Sequence, residues 1–298
     1  MKKNSIAVIG AGKWGQALHF ALSQKQECLI TSRTTKDIKN FVDLDTAMDC
    51  EYLIIAIPAQ QIGQWLKDNF IFKGQKILVA SKGIDASTSE FLNEIYAPFV
   101  PDKNIGFISG PSFASEVIKG LPAAIVINST SKKLYKQFAP FFPTFLKTYY
   151  SKDVIGAEVA GAYKNVLAIA SGICEGLQLG NNARASLISR GLVEMQRFGL
   201  HFGAKKSSFV GLSGAGDLFL TASSTLSRNY RVGLGLAKGK TLVTILEELG
   251  EVAEGVKTAE AIDNLSSKHG IYTPIANEVK LVLEGKNPQD SLKDLLSS

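Results

Sequence analysis

The sequence predicts an α/β protein, with a doubly wound sheet in its first half and an all-helical domain in its second. Three observations carry this. Short, wholly apolar runs recur through the first half, each stopped by Gly, Pro, Ser or Lys. Stretches long enough for helices separate them, which is the pattern of parallel strands covered on both faces. Beyond Asp153 no convincing strand is found, and the remaining apolar spacing is helical.

In order, residues 5–9 form an apolar run that ends in glycines and reads as a buried parallel strand. Residues 14–24 have helical character. Strands follow at residues 28–31, at 52–57 (stopped by Pro58), at 76–80 (stopped by Ser81-Lys82-Gly83), at 105–108 and at 124–127. Residues 154–177, rich in Gly and Ala, read as a long helix. Further helices are expected at 183–202, 230–238, 256–268 and 275–284. The expected domains are therefore 1–152 and 153–298, consistent with a 298-residue chain at about 150 residues per domain.

Composition narrows the function classes. The chain is 45% hydrophobic and 20% charged, which is globular rather than disordered. Its net charge of +6 suits nucleic acid, a membrane surface or a phosphorylated small molecule. The lysines are dispersed and not interleaved with aromatics, which disfavours nucleic acid. Cys28, Cys50 and Cys174 lie far apart, an odd and sparse set that argues against a disulfide framework and fits a reducing compartment. His19, His201 and His269 show no zinc-ligand spacing, so no metal is expected. The apolar run before Gly10 is too short for a signal-peptide core. Residues 154–174 contain Glu158, Lys164 and Asn165 and read as a buried helix rather than a membrane span. A cytoplasmic location is the expectation.

Gly10-Ala11-Gly12-Lys13-Trp14-Gly15 fits G-x-G-x-x-G directly after the first strand. The first glycine permits the tight turn, the second lets the backbone approach a diphosphate, and the third lets the helix pack on the strand. The helix N-terminus offers free N–H groups and a positive dipole end to the anion. In this context the loop is expected to bind a nicotinamide dinucleotide, the alternative being an ordinary glycine turn. The second strand ends in Thr31-Ser32-Arg33, with no acid before Asp37. An arginine there accommodates the 2′-phosphate of NADP, although a solvated surface arginine would look the same. NADP(H) is expected to be accepted, with the choice between NADP and NAD left open.

Ser81-Lys82-Gly83 and Ser109-Gly110-Pro111-Ser112-Phe113-Ala114 follow the fourth and fifth strands, at carboxyl ends where ligands of open α/β sheets bind. Lys82 is thus a candidate for contact with cofactor and substrate, or else a surface turn lysine. Lys164 sits on an apolar, small-residue helix, where a lysine needs either a partner or a chemical task unless it snorkels to solvent. Burial brings a lysine toward the range useful for proton transfer. Gly214-Ala215-Gly216-Asp217 is expected in a loop between helices, with Asp217 as a candidate cap. Ser227-Arg228-Asn229 opens a helix and suits an anionic phosphate, although Ser227 alone could be a plain cap.

Together these segments, with Ile84, Gly161-Ala162-Tyr163-Lys164-Asn165-Val166 and Glu254-Gly255, resemble the bacterial NAD(P)-dependent sn-glycerol-3-phosphate dehydrogenase family over almost the whole chain. The resemblance implies a Rossmann-type first domain and a helical catalytic domain. It also implies reversible reduction of dihydroxyacetone phosphate to sn-glycerol 3-phosphate, a precursor of glycerophospholipids. The position of Lys164 matches the family's acid/base. Lys82, Gly110, Ser112, Asp217, Ser227, Arg228 and Asn229 match its substrate positions. Trp14, Arg33, Lys82, Ala114, Arg228, Val252 and Glu254 match its cofactor positions, beside the loop residues Gly10, Gly12, Lys13 and Gly15.

The implied partner is a small-molecule substrate, with a homodimer allowed and neither nucleic acid nor a membrane span expected. Lys13, Tyr163 and the short chain depart from the family's usual pattern without removing a group the reaction needs. Dehydrogenases of 3-hydroxyacids or 6-phosphogluconate share the domain order but act on carboxylates, which Ser227-Arg228-Asn229 fits less well. A non-catalytic NADP sensor would need the glycine loop but not Lys164.

Overall fold

The structure, a computed structural model, describes residues 2–250 and 253–297. It forms two compact units, Met1–Lys82 with Leu92–Ala157, and Gly83–Phe91 with Glu158–Ser298.

The first unit runs β1 (Lys2–Ile9), α1 (Lys13–Ser23), β2 (Cys28–Thr31), α2 (Leu44–Met48), β3 (Cys50–Ile55), α3 (Ala59–Asn69), β4 (Lys76–Val79), α4 (Leu92–Tyr96), β5 (Ile105–Ser109), α5 (Ala114–Val117), β6 (Ala123–Asn128), α6 (Lys132–Phe138) and β7 (Leu146–Ser151). The strands make one sheet in the order β2-β1-β3-β4-β5-β6-β7. All pairings are parallel except β5 with β6, which is antiparallel.

The apolar runs have a direct physical cause. Ile6, Val8, Ile30, Ile54 and Leu78 enter one core with Leu18, Leu22 and Phe138, while Ala7, Ile9, Leu53, Ile55 and Val79 enter another with Ile62, Leu66 and Tyr96. Alternate residues of these strands thus point into different buried layers, so the central runs are apolar at successive positions rather than at every second one. The expected strands are all present. β7 was not expected, and its LKTYYS sequence has only its first residue buried, as suits the edge of a sheet.

The second unit holds most of α7 (Val154–Gly176), then α8 (Gly180–His201), α9 (Lys206–Val210), α10 (Asp217–Ala222), α11 (Arg228–Ala237), α12 (Leu242–Leu249), α13 (Glu254–His269), α14 (Pro274–Leu283) and α15 (Pro288–Ser297). The described residues contain no strand beyond β7. The segment Gly83–Phe91, inside the stretch that sequence assigned to the first domain, groups with this helical unit. It closes on itself through an Ile84–Phe91 bridge and a turn in which Asp85 accepts from the backbone N–H groups of Ser87 and Thr88. The Phe91 ring then packs edge-on against Phe202, 5.2 Å away.

Helices α7 and α11 cross backbone to backbone. A Cβ on Gly172 would lie 2.1 Å from the Tyr230 carbonyl oxygen, and one on Gly233 would lie 2.1 Å from that of Ile169. Glycine is the residue that permits so close an approach. Near the start of α14, the buried Glu194 carboxylate accepts from the N–H groups of Ile275 and Ala276, each at 2.9 Å, and from the Tyr163 hydroxyl at 2.8 Å. A carboxylate there satisfies orphan donors and complements the helix dipole. Burial still pushes the Glu194 carboxyl up from its ordinary range, against the pull of those hydrogen bonds.

Candidate active site

In the first unit the glycine loop has the geometry its spacing implies. Gly10 adopts φ +108°, a conformation that favours glycine, and its N–H donates to the Thr31 carbonyl at 2.8 Å. A Cβ on Gly15 would lie 1.8 Å from the Gly10 oxygen, so α1 rests directly on the turn. At Gly12 a Cβ would meet nothing within 4 Å. The space over Gly12 at the N-terminus of α1 is therefore the cradle expected for a diphosphate, and the residues present fit a dinucleotide. The neighbouring Trp14 indole N–H is buried without a hydrogen-bond partner among the described residues. The Ala11 carbonyl, inside the loop, accepts from Gln16 Nε2 at 2.9 Å and from Lys36 Nζ at 2.8 Å. Lys13 and Arg33 are exposed, the latter just past the end of β2.

The ends of β4 and β5 are brought together. Lys82 Nζ lies 3.5 Å from the Gly110 carbonyl, and Ser112 Oγ donates to the same oxygen at 3.1 Å. Gly110 has φ +105° and a Cβ there would press on the Ala124 carbonyl, so the chain turns sharply at that position. Ser109 Oγ accepts from Asn128 Nδ2 at 2.8 Å, which anchors the turn to β6. Ala114 opens α5.

In the second unit Lys164 does not snorkel. Its Nζ pairs with Asp217 Oδ1 at 2.6 Å, with side chains 10% and 2% exposed, and donates to Thr221 Oγ1 at 3.2 Å. The expected loop at residues 214–217 is instead a π-helical turn, Leu212–Gly216, running straight into α10. The Gly216 N–H reaches back to the Gly211 carbonyl, and a Cβ on Gly214 would fall within 2.3 Å of the Phe209 oxygen. Such single wide turns recur at functional positions. Asp217 is the first residue of α10 rather than its cap, so its carboxylate is directed to Lys164. Thr221 was not anticipated from sequence. Its signal was the i, i+4 spacing from Asp217, which places both on one helix face.

Ser227 caps α11, its Oγ accepting from the Tyr230 N–H at 3.2 Å. Asn229 Oδ1 accepts from the Gly255 N–H at 3.0 Å, tying α11 to the first turn of α13, which Glu254 opens. A Cβ on Gly255 would collide with Asn229 Oδ1 and the Asn165 carbonyl, so the two asparagines and Gly255 form one packed joint. Arg228 is exposed at the start of α11, and the Nε of Arg231, one turn on, is buried without a partner among the described residues. Val252 lies outside the described residues. Among those residues, no group of three or more His, Cys, Asp or Glu side chains is placed to hold a metal ion.

Comparison with known proteins agrees over both units. Residues 26–135 match the model of the NAD-dependent glycerol-3-phosphate dehydrogenase N-terminus, and residues 153–293 match that of its C-terminus. The chain is 62% identical over 295 residues to the NAD(P)+ glycerol-3-phosphate dehydrogenase of Sulfurimonas denitrificans, covering 99% of this chain and 100% of that protein. It is 60% identical over 291 residues to the enzyme of the same name from Campylobacter jejuni, covering 98% of each. The crystal structure of glycerol-3-phosphate dehydrogenase from Coxiella burnetii superposes with a TM-score of 0.90 at 32% identity, covering 99% of both chains. With identities of this size along nearly its full length, the chain belongs to the NAD-dependent glycerol-3-phosphate dehydrogenase family.

Proposed function

We propose that this chain catalyses the reversible reduction of dihydroxyacetone phosphate to sn-glycerol 3-phosphate with NAD(P)H, supplying glycerophospholipid synthesis, and that Lys164 is its acid/base. One observation carries the role of Lys164: a buried lysine paired with a buried carboxylate, 2.6 Å apart, on an otherwise apolar helix. The carboxylate supports the charged ammonium, which holds a proton ready for the substrate oxygen. Thr221 fixes the direction of the ammonium through a second hydrogen bond.

When bound, the nicotinamide supplies the hydride. Lys164 donates its proton to the carbonyl oxygen as that oxygen gains negative charge, and takes the hydroxyl proton in the reverse direction. Its positive charge stabilises the developing alkoxide, a charge-stabilising contribution of the kind that usually dominates such steps. Asp217 keeps its partner aligned throughout. Ser227, Arg228 and Asn229 hold the substrate phosphate, with Arg228 making the charge-assisted contact. Lys82, Gly110 and Ser112 complete the substrate set. Gly10, Gly12, Lys13, Trp14, Gly15, Arg33, Lys82, Ala114, Arg228, Val252 and Glu254 bind the cofactor.

On this reading residues 1–152 are the dinucleotide-binding domain and residues 153–298 the substrate-binding and catalytic domain. The cytoplasm is the proposed location. Cys28, Cys50 and Cys174 are buried and form no disulfide, and no helix among the described residues is long and apolar enough to cross a membrane. A homodimer is the proposed assembly.

The test is a spectrophotometric assay of NADPH and NADH oxidation with dihydroxyacetone phosphate, using glyceraldehyde 3-phosphate as control. Oxidation dependent on the ketone and not on the aldehyde is expected. Cofactor binding without turnover would instead identify a sensor.

A further inference from the structure

We infer that Lys36 is a second cofactor-specificity residue, which joins Arg33 in recognising the 2′-phosphate of NADP(H). The inference rests on the dinucleotide reading of the glycine loop.

The segment after β2 is short and closed. Ile30 N–H donates to the Asn40 carbonyl at 3.1 Å and Val42 N–H to the Ile30 carbonyl at 2.9 Å, forming a parallel bridge between Ile30 and Phe41. Asn40 takes a left-handed conformation, φ 59°, and its Nδ2 donates to the Cys28 carbonyl at 3.3 Å. Within the loop, Ser32 Oγ donates to the Thr34 carbonyl at 2.7 Å and Ile38 N–H to the Lys36 carbonyl at 3.0 Å. Both ends of residues 32–41 are therefore held against β2. Lys36, midway along, reaches back to the glycine loop and bonds the Ala11 carbonyl at 2.8 Å.

That carbonyl belongs to the residue before Gly12, where the backbone approaches the diphosphate, and the contact ties it to the segment that follows β2, where the adenosine ribose is read in this fold. Bracing the loop does not require a charge at this point. Gln16 already donates to the same oxygen at 2.9 Å. An ammonium has three donors, and Ala11 takes one of them. No carboxylate of the described residues pairs with Lys36 or with Arg33. Two cations that pair with no carboxylate among the described residues, on the segment after β2 where an acid would select NAD, favour a doubly charged phosphate.

The experiment uses the full chain with Lys36→Met, Lys36→Arg and Arg33→Ala variants. Calorimetry with 2′,5′-ADP and with 5′-ADP reads binding, and KM for NADPH and NADH with saturating ketone reads catalysis. Lys36→Met is expected to weaken 2′,5′-ADP and raise the NADPH KM by about ten- to hundredfold, the worth of one hydrogen bond to a charged group. 5′-ADP and NADH should stay within about twofold, well under the value of a direct contact, and Lys36→Arg should retain most of the 2′-phosphate preference. Equal weakening of both probes would assign Lys36 to loop support alone and overturn the inference, as would unchanged 2′,5′-ADP binding. Wild-type protein that binds neither probe would overturn the dinucleotide reading beneath it. Wild-type protein that binds 5′-ADP, with Lys36 indifferent, would overturn only the role of Lys36.

Discussion

Replacing Lys164 by Met tests the centre of the mechanism and separates chemistry from folding. The side chain keeps nearly its length but loses its charge, and with it the 2.6 Å bond to an Asp217 carboxylate that is 2% exposed. Thr221 Oγ1 is 3.4 Å from the same oxygen and donates mainly to the Asp217 backbone carbonyl at 2.7 Å, so it cannot replace an ammonium at 2.6 Å. Breaking a buried pair from one side costs about 3–5 kcal/mol, because a charge is left uncompensated.

Adding Asp217→Asn removes that charge, so the double variant should recover most of the lost stability. Turnover should not recover. Both variants lack the proton donor, and general acid–base groups contribute about a hundred- to ten-thousandfold in rate. Urea denaturation of wild type, both single variants and the double variant gives the coupling energy, and ketone-dependent NADPH oxidation gives the rate. Cofactor affinity should stay within a few-fold of wild type. The reasoning is refuted if Lys164→Met is as stable as the double variant, or if its turnover falls by less than about tenfold.

The glycines of the loop should separate in kind. Gly12→Ala places its Cβ in open space at φ −70°, so melting temperature should hold while cofactor KM rises. Gly15→Ala drives a Cβ into the Gly10 carbonyl and should lower melting temperature even without ligand. A stability loss in Gly12→Ala would contradict this division. Arg228→Ala should raise the KM for dihydroxyacetone phosphate by about tenfold or more through loss of a charge-assisted bond. An unchanged KM would move the phosphate site elsewhere.

Burial holds the His19 imidazole below its ordinary value of 6.5, against the opposing effect of its bond to the Cys28 carbonyl. The unfolded chain therefore binds the proton more readily, and this residue's contribution to stability is present above pH 6.5 and lost as pH falls below it. Denaturation curves of His19→Asn across that window should show a shallower fall, by at most about 1.4 kcal/mol per pH unit, the limit for one proton. An identical slope in the variant would place the acid sensitivity in other groups.

The strands of the first unit were legible because both faces are buried, so the runs 6–9 of β1, 52–55 of β3 and 77–79 of β4 are wholly apolar. β7 was missed for the converse reason, since an edge strand with one buried residue in six reads as a polar stretch. The antiparallel turn of β6 was equally silent, because strand direction lives in pairing and not in composition. Residues 83–91 joined the helical unit through Phe91 and Phe202, partners more than a hundred residues apart that no local pattern connects.

In the site, Lys164 and Asp217 were each marked by type and neighbourhood. Their ion pair spans 53 residues and depends on a π-helical turn that the glycines permit without announcing. Lys36 escaped notice because a lysine in a polar loop is ordinary until its reach to Ala11 is seen.

The crossing of α7 and α11 at Gly172 and Gly233 bears on how this enzyme can change over time. Backbone meets backbone there with no side chain between, so even one methyl group at either glycine would force the helices apart abruptly rather than by degrees. On the proposed site, the crossing sets how α7, which carries Lys164, lies against α11, which Arg228 opens. Selection for a longer phosphorylated ketone would find this packing closed to gradual adjustment. It would have to act through the loops, or replace both glycines in a single step.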